Sequence, residues 1–79
     1  MADTQLLLYI HRGKLQTESV GMWDATKRAN ALQGCCATII YRIVSGDTSV
    51  HEWRNSTYWT TDYSVAVPEE IKLAALIVN

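Results

Sequence analysis

The stretch Gly21–Cys36, GMWDATKRANALQGCC, limits the fold more than any other part of the chain. It is the one segment with a clear helical period. Met22, Ala25, Ala29 and Leu32 recur at i, i+3, i+7 and i+10, which lays one apolar stripe along a helix over about residues 22–33. Gly21 is expected to cap the helix, which puts Asp24 at N3, where a carboxylate suits the positive end of the dipole. Gly34 suits the left-handed position after the last turn. At about 100° per residue the outer face carries Trp23, Lys27 and Asn30, with Arg28 near the edge of the stripe.

Strands are expected on either side of this helix. Thr4–His11, TQLLLYIH, is apolar on both faces, the mark of a strand inside a sheet or covered on both sides. Arg12-Gly13 interrupts it, and Leu15–Val20 follows as a shorter, more polar strand. Arg-Gly is a weaker hairpin signal than Asn-Gly. Ala37–Val44, ATIIYRIV, is β-branched, and Ala37, Ile39, Tyr41 and Ile43 fall on one face. Ser45-Gly46-Asp47-Thr48 reads as a turn. Ser49–Arg54 returns with Ser49, His51 and Trp53 on one side and Val50, Glu52 and Arg54 on the other. After Asn55-Ser56, Thr57–Val67 reads as a further strand, with Trp59, Thr61, Tyr63, Val65 and Val67 sharing a side.

Pro68-Glu69-Glu70 resembles a helix start. A short C-terminal helix over 68–78 is expected, with a final strand as the alternative. The tail is apolar nearly all round. Ile71, Leu73, Leu76, Ile77 and Val78 cannot all reach one small core, so a partner or an identical chain is expected to cover part of them as an oligomer interface. The whole reads as an α+β fold. An antiparallel sheet of four to five strands carries the 22–33 helix on one face, and residues 1–79 form a single small domain.

The chain has 79 residues, 48% hydrophobic and 19% charged, in the range of a folded globule. A net charge of −1 gives no footprint of a nucleic-acid binder, so no direct sequence-specific nucleic-acid binding is expected. No apolar run approaches the roughly 20 residues that span a bilayer, so no membrane association is expected. The start has an acid ahead of a short apolar run, unlike a secretory leader, and the protein reads as cytoplasmic.

The two cysteines, Cys35 and Cys36, are adjacent, and bridging neighbours strains the ring, so no stapling disulfide is expected. With His11 and His51 they could number four zinc ligands. Structural zinc ligands instead come in closely spaced pairs such as C-x₂-C, so no metal or cofactor is expected. Both cysteines then serve as small hydrophobes where helix passes to strand. The acids are scattered, the glycines at 13, 21, 34 and 46 form no phosphate loop, and no nucleophile has a base beside it. The chain does not read as an enzyme. Tyr58, Trp59, Tyr63 and Trp53, interleaved with Arg54, could form a stacking platform for a single strand. Glu52, Asp62, Glu69 and Glu70 set the wrong charge for one, and aromatic pairing in the core is the expected use.

Lys27 and Arg28 are the one adjacent basic pair. On most helices such a pair is a solvated face. Trp23 one turn earlier favours a contact patch of Trp23, Lys27, Arg28 and Asn30, because exposed tryptophan is enriched at binding hot spots. The alternative is that Trp23 is covered by the tail or bends into the core.

One pattern runs from Glu18 to Thr48. Glu18 and Val20 end a strand. A helix with Ala25, Lys27-Arg28, Ala29 and Gln33 follows, then Thr38-Ile39-Ile40 and a Gly46-Asp47 turn. In this the chain resembles very small phage-encoded proteins, including anti-CRISPR inhibitors of bacterial type I systems. The resemblance implies a small non-catalytic viral protein in the host cytoplasm. It would dock on a host protein or nucleoprotein complex, such as CRISPR effector subunits, and block it sterically, with Lys27 and Arg28 in the contact. The alternative is a homo-oligomeric assembly module, a homodimer sealed by the apolar tail.

Overall fold

The computed structural model describes residues 4–21, 23–44, 46, 49–54 and 58–78. Thr4–His11 form strand β1 and Lys14–Gly21 form β2. The two pair antiparallel along their length, with Gln5 opposite Val20 and His11 opposite Lys14. The turn between them is Arg12-Gly13, with φ of 54° and 79°. Two left-handed residues make a type I′ turn, whose twist matches that of the strands. Gly13 adopts this conformation without strain, and the ladder on either side holds Arg12 in it.

Pairing with β1 keeps the backbone extended as far as Gly21, which therefore ends β2 and does not cap the helix. A turn follows, closed by the Asp24 amide donating to the Gly21 carbonyl at 3.0 Å. Helix α1 then spans Ala25–Cys35, starting and ending later than the expected 22–33. Asp24 is its N-cap and not its N3 residue, and makes no side-chain capping bond. Met22 lies outside the described residues. Gly34 lies within the last turn, so the expected left-handed glycine stop is not used. Cys36 leaves the helix instead, and the amides of Cys36 and Ala37 donate to the Leu32 carbonyl at 2.8 and 3.1 Å.

Strands β3 (Tyr41–Val44), β4 (Val50–Arg54) and β5 (Tyr58–Thr60) and helix α2 (Glu69–Val78) complete the described elements. The tail is thus helical rather than a final strand. The five strands form one antiparallel sheet in the order β2-β1-β3-β4-β5. Because β2 and β3 flank β1 and both oppose it, they run parallel to each other. Their connection must cross the sheet, and α1 makes that crossing.

Two strands are shorter than the apolar pattern suggests. Of Ala37–Val44 only Tyr41–Val44 are in the ladder, although the Ile40 carbonyl still accepts the Trp53 amide at 2.8 Å. Of the expected Thr57–Val67, Tyr58–Thr60 are strand. The Asp62 amide then bonds the Thr60 hydroxyl at 2.9 Å, and the chain leaves the sheet. Gly46 has φ of 85°, as a turn requires; Ser45, Asp47, Thr48 and Asn55–Thr57 lie outside the described residues.

The sheet is covered on both faces. On the α1 side Leu7, Tyr9, Ile40 and Trp53 pack under Ala25, Ala29 and Leu32. On the other, Leu8, Tyr41, Ile43 and Val50 pack under Val67, Ile71 and Ala75. A single helix on one face would have left the second set in water. Leu7 and Leu8, neighbours in β1, are both fully buried, as a strand apolar on both faces demands. The face expected of Ala37, Ile39, Tyr41 and Ile43 is divided. Ala37 packs toward α1, while Ile39, Tyr41 and Ile43 pack toward α2. Likewise Trp59 joins the α1 side and Tyr63 and Val67 the other, because the chain changes face after β5.

Candidate functional site

The inner face of α1 is made of small residues and one leucine, so the helix sits close on the sheet and its outer face stands clear. Trp23, in the turn that enters the helix, is 87% exposed. Lys27 and Asn30 are also exposed. The tail does not cover Trp23, nor does Trp23 turn into the core.

Arg28 makes a contact that its place beside Lys27 does not suggest. Its Nε and Nη2 donate to Glu18 Oε1 and Oε2 at 2.8 and 2.9 Å, a two-pronged clip from α1 to β2. The Tyr9 hydroxyl donates to Glu18 Oε2 at 3.1 Å. The Arg28 fork holds the Glu18 carboxyl below its ordinary range, with Tyr9 adding to the effect against partial burial. Burial, then the bond to Glu18, pushes the Tyr9 phenol up. Arg28 remains on the surface, but its charge is already answered within the chain. Of the basic pair, Lys27 is the cation not engaged in this clip.

Beyond the start of α1 lies a polar network that sequence reasoning missed. Arg42 stacks over the Trp59 ring, 4.5 Å from its centroid. Its Nε donates to His51 Nδ1 at 3.1 Å and its Nη1 to the Gln5 side chain at 3.3 Å. Trp59 Nε1 donates to the Thr26 hydroxyl at 3.2 Å. The cross-strand register that sets Arg42 opposite His51 is the signal that would have located it. Trp53 and Trp59 pack at 5.0 Å between centroids, and Trp53 is 3% exposed. Neither it nor Arg54, which bonds Glu52 and the Asp62 carbonyl, can serve as an open stacking platform.

His11 and the cysteines meet, but through the backbone. His11 Nδ1 donates to the Cys36 carbonyl at 2.7 Å. His51 lies in the Arg42 network. Among the described residues no three His, Cys, Asp or Glu side chains are grouped so as to hold a metal ion. Cys36 is partly buried against the α1 core, as a small hydrophobe would be, whereas Cys35 is exposed. Contact with Cys35 and partial burial push the Cys36 thiol up.

Helix α2 divides the proposed oligomer surface. Ile71 is fully buried against this chain's own sheet and belongs to the core. Leu73, Leu76 and Ile77 are exposed, Leu76 by 69% and Ile77 by 83%. The side chain of Val78 lies outside the described residues. Beside Leu76 a groove of about 430 Å³ opens among Val50, Tyr63, Val67 and Ala75. Among the described residues no helix is long and apolar enough to cross a membrane. Compared with known proteins, the chain matches no protein-family model, no curated protein and no solved structure.

Proposed function

We propose that this chain is a small, non-catalytic binding protein whose contact patch is the Trp23 turn and the outer face of α1. The exposure of Trp23 carries this reading. A bare indole at the mouth of a helix is a poor use of apolar surface in a free monomer and a strong anchor in an interface. Lys27 and Asn30 supply polar contacts beside it, and Arg28 holds the helix in place through Glu18. The resemblance over Glu18–Thr48 narrows the partner to a host defence complex, with the chain as a phage or mobile-element inhibitor that blocks a CRISPR effector.

The test is capture from a bacterium with a type I CRISPR system, using tagged wild type and a Trp23→Ala, Lys27→Glu variant. The reading requires effector subunits with wild type and their loss with a variant that remains folded. Equal recovery from both, or none from either, overturns it.

A second reading is favoured by the row Leu73, Leu76 and Ile77 beside the groove. In it the chain is an assembly module that pairs with a copy of itself through α2. Light scattering separates the two. A dimer that Leu76→Glu and Ile77→Glu convert to a folded monomer supports pairing, and a wild-type monomer at all concentrations removes it.

A further inference from the structure

Adjacent cysteines in a regular helix project their side chains about 100° apart. Here the two thiol sulfurs lie 2.7 Å from each other. They meet because Cys35 is the last helical residue and Cys36, with φ of −124° and ψ of −32°, has left the helix. Cys35 is exposed and open to reagents from solvent. The peptide unit between and after the cysteines is also the closure of α1. The Cys36 and Ala37 amides hold the Leu32 carbonyl, and the Cys36 carbonyl accepts from His11.

We propose that Cys35 and Cys36 form a reversible modification site. They close to an intramolecular disulfide by exchange with a low-molecular-weight disulfide, and closure opens the C-terminal cap of α1. The Cys35 thiolate attacks one sulfur of the small disulfide and releases one thiolate, leaving a mixed disulfide on Cys35. The Cys36 thiolate then attacks the Cys35 sulfur and releases the second. Two cysteine thiols lose two protons and two electrons, and the small disulfide takes them up as two thiols.

The bridge cannot form without moving the backbone. Adjacent α-carbons stand about 3.8 Å apart, against the roughly 4.4–6.8 Å of an ordinary disulfide. The trans peptide fixes that spacing in any conformation, so the strain of the eight-membered ring falls on the Cys35–Cys36 peptide unit, and its turning loosens the bonds to Leu32 and from His11. The same strain makes the bridge easily reduced, which suits a switch and not a staple.

The test treats the full chain with oxidised glutathione and reads intact mass, non-reducing electrophoresis and amide exchange. The expected product is a monomer lighter by two hydrogens, with no glutathione retained. Its Cys36 and Ala37 amides exchange several-fold faster, and dithiothreitol reverses both changes. Cys36→Ser, which lacks the resolving thiol, retains one glutathione on Cys35. Wild type that keeps glutathione on Cys35, chains that cross-link to each other, or a closed ring with unchanged exchange at both amides would each overturn the proposal.

Discussion

Glu52 and Ser64 are joined by three contacts that fix where the chain goes after β5. The Glu52 carboxylate, 1% exposed, accepts the Ser64 amide at 3.0 and 3.3 Å and the Ser64 hydroxyl at 2.6 Å. Arg54 Nε supplies the opposite charge at 3.4 Å. A buried carboxylate with these partners holds the connecting segment against the sheet and places Val67 and α2 on its second face. Tyr63 reinforces the link by donating to the Val50 carbonyl at 2.5 Å. Glu52→Ala should lower stability by about 3 kcal/mol, because it leaves the Ser64 amide unpaired and opens a void. Ser64→Ala should cost about 1 kcal/mol, since the amide bond remains. Urea denaturation of both variants checks the order.

Helix α2 has two faces that should answer differently to the same substitution. Ile71→Ala removes a fully buried side chain and should cost about 2–5 kcal/mol. Ile77→Ala, at a side chain 83% exposed, should change the stability of the monomer by less than about 0.5 kcal/mol. Thermal melts at low protein concentration distinguish them.

The Glu18–Arg28 clip predicts an acid-side dependence. The folded Glu18 pKa lies below its ordinary 4.5, so the pair stabilises the fold above that value and is lost as pH falls through the folded one. Wild type should therefore exceed Glu18→Gln in stability at neutral pH, with the gap closing in acid. The clip is solvent-accessible, so the gap should also narrow with salt. Chemical denaturation across pH and salt measures both.

On the alkaline side the phenols act in the opposite sense. Burial pushes Tyr9, Tyr41 and Tyr63 up, and the Glu52 charge adds to the effect at Tyr41 and Tyr63. Their raised folded pKa values keep their stabilisation intact below about 10.0, the ordinary phenol value, and lose it as pH rises beyond. Phenolate absorbance should lag behind that of free tyrosine until the chain unfolds.

Arg12 occupies a left-handed conformation that arginine disfavours. Arg12→Asn should stabilise the hairpin by about 0.5–1 kcal/mol, because Asn-Gly suits a type I′ turn. Gly13→Val should destabilise by a similar amount or more. Neither reaches the core, so midpoint shifts at an unchanged denaturant slope are the expected sign.

The strands from Thr4 to Val20, the helix through Ala25–Leu32 and the helix opened by Pro68 were legible in the chain itself. Each is carried by contacts between near neighbours, through period and turn residues. The exposure of Trp23 was not legible: the pattern left open whether the tail covers it or it bends into the core, and only the fold leaves it 87% exposed in the turn before α1. What the period did not reveal was set by residues far apart in the chain. Pairing with β1 carried β2 to Gly21 and delayed α1. Glu18 drew Arg28 into a clip between β2 and α1. Glu52 seized Ser64 and turned an expected eleven-residue strand, 57–67, into three ladder residues and a crossing to the second face. A one-dimensional pattern says which residues must be buried. Only the folded sheet, with two apolar faces to cover, decides which element covers each and which charges are answered within the chain.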